Sequence, residues 1–225
     1  RNIPGVRYWM VDLLDEEGLT DTCSEIIQEH GHVNHLVFLQ RYRGKDDDWV
    51  GDIETSLTAT KNVIEWVEDK FADSNQNSIV IVSSIASQFI AEEQPLSYHV
   101  AKAGLNQMVR YYAVTLGGQG IRVNSVSPGT VIKDESKNFY RENTSLSELY
   151  KRIIPLGRMG TSDDVAGVVE FLCNPQSSFV SGQNIVLDGG VSLIGQEALA
   201  RALASPDISV VATSGPELPP EHSNE

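Results

Sequence analysis

The run SIVIVSS, residues 78–84, constrains this chain more than any other stretch. Its short, unbroken apolar core of Ile and Val predicts a strand buried on both faces, the kind that parallel sheets use. Beyond it, IASQFIAEEQPL reads as a loop, and a helix begins near Ser97. That helix carries Tyr98 and Lys102 four residues apart and therefore on one face. A free phenol exchanges protons poorly at neutral pH, but an ammonium held nearby favours the phenolate and draws its pKa toward the working range. A hydroxyl from the strand end, Ser84, then holds a carbonyl or alcohol oxygen beside the phenol. Ser84, Tyr98 and Lys102 together describe carbonyl reduction or its reverse.

Tyr-x-x-x-Lys alone occurs on any amphipathic helix, where it is an aromatic core residue beside a solvated lysine. The segment after the helix changes the weighting, because GIRVNSVSPGTV, residues 120–131, reads as a buried strand closed by a Pro-Gly turn. Four motifs then stand in order: Ser83-Ser84, YHVAKAGL from Tyr98, RVNSVSPG from Arg122, and SGQNIVLDGG from Ser181. With them the chain resembles the short-chain dehydrogenase/reductase family over roughly residues 6–193.

The resemblance implies an α/β fold, a doubly wound parallel sheet of Rossmann type forming one domain over residues 1–193, and NAD or NADP as cofactor. It implies Tyr98 as general acid/base, Lys102 as its pKa-lowering neighbour and ribose anchor, and Ser84 as anchor of the substrate oxygen, with Ser83 the runner-up. At the cofactor it places Asp12, Leu13, Phe38, Pro128, Gly129 and Val131 together with Tyr98 and Lys102. For Asp12 a helix-capping role is the equal alternative. The chain also departs from the family. Ser56 stands where relatives carry an active-site asparagine, and is either a water-holding relay residue or a surface serine. Phe38, Leu39, Gln40 and Arg41 replace Asn-Asn-Ala-Gly. Arg41 and Arg43, flanking Tyr42 at a strand's carboxyl end, read either as a solvated loop or as a grip on an anionic group. Lys133 stands where threonine is common. The family's opening strand and glycine-rich turn have no counterpart here, so the sequence reads as starting at the family's third strand, inside a longer protein.

Further expectations concern the scaffold. Residues 6–14 are expected to be a strand, 16–30 a helix, about 48–71 one long helix with Trp49, Ile53, Leu57, Val63, Ile64, Trp66 and Val67 buried, and 133–156 a mobile lid without strong periodicity. The central helix is expected to end at Gly117-Gly118, with His99 on it as a structural residue rather than a base. Residues 194–204 read as a terminal helix and 205–225 as a flexible tail, in which ISVVATS offers an alternative edge strand. A formal net charge of -14 argues against a general nucleic-acid surface and polybasic membrane docking. Cys23 and Cys173 read as free thiols rather than a disulfide or metal pair, no metal is implied, and a reducing cytoplasm follows. The helices around 48–71 and 97–117 are expected to join subunits into a homodimer or homotetramer. The opposing reading is a non-catalytic binding or oligomer-partner protein that kept the fold and lost cofactor binding.

Overall fold

Three strands carry the sheet, each with β-branched or other apolar residues at its heart. HLVF gives β1 (His35–Phe38), NSIVIV gives β2 (Asn77–Val82) and IRVNSVSP gives β3 (Ile121–Pro128). The computed structural model describes residues 3–74 and 76–204, and these divide into two compact units. The first holds residues up to Ser127 together with Ala166–Val186; the second holds Pro128–Val165 and the chain from Leu187 on.

In the first unit, β1, β2 and β3 pair in parallel, with Val37 opposite Val80 and Val80 opposite Asn124. A further strand, Asn184–Leu187, continues the sheet beyond β3. Among the described residues β1 is therefore an edge, and its exposure is mixed, whereas Ile79, Val80, Ile81, Val123 and Val126 are fully buried. Each such side chain stabilises the fold by about 1.5–3 kcal/mol. Helix α1 (Glu16–His30) is capped by the Asp15 carboxylate, which accepts from the Gly18 N–H. The cap is thus Asp15; the Asp12 carboxylate accepts instead from the Leu14 N–H in a local turn.

The expected long helix is three pieces. They are α2 (Asp48–Asp52), a π-helical segment (Ile53–Thr58) and α3 (Ala59–Val67), so the helix also stops short of residue 71. Val63, Ile64 and Val67 are buried as expected, but Trp49 is half exposed and Gly51, Asp52 and Ser56 take the inner face. The wider π turn rotates the first part of the helix relative to the second, so one apolar stripe cannot run through both. Residues 6–14 join no ladder either. Their alternation survives, with Val11 and Leu13 packed against the core and Met10 and Leu14 exposed, but a strand needs a neighbour to bond and none of the described strands pairs with them.

Helix α4 (Leu96–Thr115) buries Ala101, Leu105, Val109 and Tyr112 on one face. It ends at Thr115, just before Gly117-Gly118 as expected; a 3-10 turn over Gly117–Gln119 follows, and the left-handed residue is Gly120, at φ +75°.

In the second unit, the expected lid is mostly helical. It contains α5 (Lys137–Glu142) and α6 (Thr144–Ile153), and is preceded by β4 (Val131–Ile132), which pairs in parallel with β5 (Gly160–Thr161). Charge hid the pattern: α6 is strongly amphipathic, with its apolar residues spread thinly among polar ones. Helix α7 (Ser162–Cys173) follows β5, and after the strand Asn184–Leu187, here β6, comes α8 (Gln196–Ala204) as expected. Helix α8 packs on α6, where the Arg152 guanidinium donates to the Ala202 carbonyl. The DGG turn leaves no room for a side chain, since a Cβ on Gly189 would fall 2.5 Å from Ile154. The tail expected over 205–225 lies outside the described residues.

One electrostatic knot closes the entry to α7. The Asp164 carboxylate accepts from Arg158 Nη1 and Nη2 at 2.7 and 2.8 Å and from the N–H and hydroxyl of Thr161 at 2.7 and 2.9 Å. The guanidinium beside it holds this carboxyl well below the usual carboxylate range. A depressed folded-state pKa gives stability that is present above the unfolded value of about 4 and is lost as pH falls below it. Asp164→Asn is expected to cost about 1–2 kcal/mol at neutral pH, as several charge-assisted but partly solvated hydrogen bonds imply. In denaturant titrations from pH 7 downward, the gap between variant and parent should narrow below about pH 4; a gap constant with pH would contradict the assignment.

Candidate active site

The site is built where β2 ends against α4. Lys102 is only 3% exposed, and its ammonium donates to the Val82 carbonyl at 3.1 Å. Next along the chain, the Ser83 hydroxyl donates back to the Lys102 carbonyl at 3.0 Å. Strand end and helix are thereby tied together in both directions. One turn further along α4, the Asn106 amide donates to the Ser87 hydroxyl at 2.8 Å, which donates to the Ser84 carbonyl at 2.7 Å. Ser83 is thus occupied as a structural residue, while Ser84 caps the short turn Ile85–Ser87 by accepting from the Ala86 N–H at 3.1 Å. Its oxygen is used as an acceptor and its O–H has no acceptor among the described residues.

Tyr98 lies one turn before Lys102, whose ammonium sits 5.6 Å from the centre of the phenol ring. The ring is half buried, and its hydroxyl has no hydrogen-bond partner among the described residues. A second cation meets the same ring: the guanidinium carbon of Arg41 lies 4.6 Å from its centre, and Arg41 Nη2 donates to Gln94 Oε1 at 2.6 Å. His99 is occupied elsewhere. Its Nε2 accepts from the Ala91 N–H at 3.0 Å and its Nδ1 donates to the Pro95 carbonyl at 2.9 Å, so it ties down the loop before α4, as a structural residue should.

Two features here had no counterpart in the sequence reading. Helix α4 begins after Pro95 with no side-chain cap, and in its first turn the Ser97 hydroxyl donates to the buried carboxylate of Asp52, on α2, at 2.7 Å. A negative charge there also suits the positive end of the helix dipole. The signal available was weak: an acidic residue four positions before Ser56, on a helix whose other charges face out. The second feature is Tyr42. A Cβ on Gly51 would fall 2.3 Å from the Tyr42 ring and one on Gly44 2.2 Å from its hydroxyl, so the ring lies directly on two glycine backbones. That seat fixes the segment bearing Arg41 and Arg43.

The structure brings Ser84, Tyr98 and Lys102 to one junction. Ser56 is 2% exposed in the π-helical segment, which packs on α4; it is an interior residue rather than a surface serine. Leu13 and Phe38 share the wall of one hollow of about 410 Å³, together with Trp9, Val11, Val37 and Gln40. The Phe38 side chain belongs to the core at 7% exposure, which leaves its backbone as the group that can meet a ligand. Asp12 is exposed. In the second unit, Pro128 ends β3, the Gly129 N–H donates to the Leu187 carbonyl at 2.9 Å, and Val131 pairs with Gly160 in β4. Cys23 and Cys173 are free, and burial pushes the Cys23 thiol up. Among the described residues no cluster of His, Cys, Asp or Glu could hold a metal, and no helix is long and apolar enough to cross a membrane.

A parallel sheet with a serine at a strand's carboxyl end and a Tyr-Lys pair on the following helix defines a class, the Rossmann-type oxidoreductases. The comparisons narrow it. A family model described as enoyl-(acyl carrier protein) reductase matches residues 3–192. A 3-oxoacyl-[acyl-carrier-protein] reductase of Thermotoga maritima is 33% identical over 200 residues, 84% of this chain and 78% of that protein. A tropinone reductase homolog of Arabidopsis thaliana is 33% identical over 188 residues, covering 80% and 69%. Among solved structures, a short-chain type dehydrogenase/reductase from Mycobacterium ulcerans superposes with a TM-score of 0.73 at 27% identity, covering 83% of this chain and 70% of that one. The chain belongs to the short-chain dehydrogenase/reductase family, whose enzymes are oxidoreductases using NAD or NADP.

The seat of Tyr42 gives a direct test of the geometry. Gly51→Ala is expected to cost about 1–3 kcal/mol, the usual penalty of overpacking, in chemical denaturation. In a Tyr42→Ala background the same change should cost much less, because the clashing ring is gone. Equal costs in both backgrounds would show that Gly51 is needed for some other reason.

Proposed function

We propose that this protein interconverts a ketone and a secondary alcohol on a polar small molecule with NAD or NADP, through Tyr98, Lys102 and Ser84. The observation that carries the reading is the Lys102 ammonium, buried, bound to the Val82 carbonyl and 5.6 Å from the Tyr98 ring. A buried cation next to a phenol with no competing hydrogen bond favours loss of the phenol's proton. Tyr98 is then the group that gives a proton to, or takes one from, the substrate oxygen. The Ser84 hydroxyl, its oxygen already accepting and its hydrogen uncommitted, donates to that same oxygen and holds it at the phenol. The buried hydroxyl of Ser56, on the segment packed against α4, is the candidate for the relay position.

For the cofactor's nicotinamide-ribose end, each unit has candidates of its own: in the first, the Lys102 ammonium suits ribose hydroxyls; in the second, the backbone around Pro128, Gly129 and Val131 suits a carboxamide. Leu13, the Phe38 backbone and Asp12 are the candidates at the adenine end. No glycine-rich strand-to-helix turn for the pyrophosphate occurs among the described residues. The cofactor, when bound, supplies or accepts the hydride. Support for a polar substrate comes from the rim of Arg41 and Gln94 and from two relatives: an L-rhamnose 1-dehydrogenase (NAD(P)(+)) of Sphingomonas, 37% identical over 51% of this chain and 44% of that protein, and a structure of glucose dehydrogenase of Caenorhabditis elegans, 30% identical at a TM-score of 0.68. A cytoplasmic homodimer or homotetramer fits the same reading, since α4 carries Tyr111 and Val114 at 61% and 80% exposure.

In an active preparation, Tyr98→Phe is expected to lower kcat at least about 100-fold while cofactor affinity holds. Lys102→Ala should lower both turnover and cofactor affinity, and Ser84→Ala mainly turnover. Ser56→Ala reports on the relay: a large loss of kcat places it in the path, and none makes it a packing residue. Turnover of Tyr98→Phe at the parent's rate would refute the mechanism.

A further inference from the structure

We propose that Asn106 and Ser87 are positioning residues that aim the Ser84 hydroxyl at the substrate oxygen. The inference rests on the substrate-holding role given to Ser84. A serine hydroxyl swings between rotamers unless something holds it. In Ser84 the oxygen is held by the Ala86 N–H at 3.1 Å, so its direction depends on the short turn Ile85–Ser87 that presents this N–H. Three residues of 3-10 helix do little to hold their own shape. The turn is closed on the Ser84 carbonyl, which accepts from the Ser87 N–H at 3.0 Å and from the Ser87 hydroxyl at 2.7 Å.

Ser87 has one hydroxyl hydrogen, and Asn106 decides where it goes. The Asn106 amide donates to the Ser87 oxygen at 2.8 Å, which leaves the Ser87 hydrogen for the Ser84 carbonyl. The carboxamide is kept from turning over, because its oxygen accepts on its other side from the Ser125 hydroxyl of β3 at 3.1 Å. Ser125 also has Asn184 Oδ1 at 3.1 Å, but that oxygen already accepts from Ser127 at 2.6 Å. Donation thus runs in one direction, from Ser125 to Asn106 to Ser87 to Ser84, and each bond polarises the next. Asn106 is 7% exposed and Ser125 is fully buried, so water has little access to compete. Along α4, Asn106 follows Lys102 by four residues and Tyr98 by eight, on the side that packs against the Ile85–Ser87 turn. One helix therefore carries the proton-exchanging phenol and, two turns on, the amide that sets the hydroxyl meant for the same oxygen.

The test separates aim from packing. Asn106→Leu, which keeps the size of the side chain, and Ser87→Ala are each expected to lower kcat about 10- to 100-fold, as misplacing a reacting group by a fraction of an ångström does, while cofactor affinity holds. In a Ser84→Ala background, where no hydroxyl is left to aim, either change should alter kcat less than about 2-fold, and the two combined should cost no more than the larger alone. A second readout needs no turnover. In the unliganded protein, hydrogen exchange at the Ala86 amide, which bonds the Ser84 oxygen, should quicken about 3- to 10-fold in both variants, the equivalent of one hydrogen bond, while Ile81 in the middle of β2 keeps the parent's rate. Ser87→Ala removes a single hydroxyl from a half-buried position and carries the test if Asn106→Leu folds poorly. Parent kcat in Ser87→Ala, a loss that persists in full in the Ser84→Ala background, or unchanged exchange at Ala86 would each overturn the proposal. Failure of the catalytic reading shows separately, as parent turnover in Ser84→Ala alone.

Discussion

A buried ammonium must find acceptors or lose its charge, and Lys102 meets that demand at the last carbonyl of β2. The rest of the site depends on this one contact. It brings the second turn of α4 onto the end of the sheet, and the return bond from Ser83 keeps the helix from sliding along it. With that register set, Asn106 reaches Ser87, Ser87 reaches the Ser84 carbonyl, and Tyr98 falls one turn before the lysine. Polar partners then continue into the sheet: the Ser125 hydroxyl lies 3.1 Å from both the Asn106 and Asn184 side-chain oxygens, and Ser127 donates to the latter at 2.6 Å. The carboxyl end of the sheet is polar because the site is there, while the middle of β2 is pure Ile and Val.

Helix α4 also carries its own control. Tyr112 sits on the same helix as Tyr98 but is enclosed by the core, and burial, then the nearby Glu65, pushes its phenol up to about 12. Tyr98 has Lys102 and Arg41 against its ring instead. One side chain type, on one helix, is made a permanent hydrogen-bond donor in one place and set beside cations in the other, and the surroundings alone make the difference.

Much of this could be read from residues. Strand β2 was legible because both faces are buried and its apolar run is unbroken, β3 because its Ile and Val residues lead into a Pro-Gly turn, and α4 because its stripe has one period from end to end. The Ser84, Tyr98 and Lys102 positions follow from those two elements. What escaped reading depended on tertiary contacts. Asp52 gives no signal until α4 is seen to lack a cap, and residues 6–14 have the composition of a strand without a neighbour to pair with. The amphipathic face of α6 is sparse enough to be mistaken for a charged loop. For Arg41 the sequence left two readings open, and only the ring beneath its guanidinium separates it from an ordinary loop arginine.

The π-helical turn at Ile53–Thr58 reaches further than its six residues. A turn that holds one residue more than its neighbours behaves as an insertion absorbed without a bulge in chain length, and it shifts the phase of everything on one side by about 100°. Any alignment that carries a regular helical repeat through this stretch will therefore match inward-facing positions of one protein with outward-facing positions of the other. The equivalence of Ser56 with a relative's side chain is a matter of phase as much as of identity, and a single deletion within the turn would leave a good helix whose inner face had changed hands.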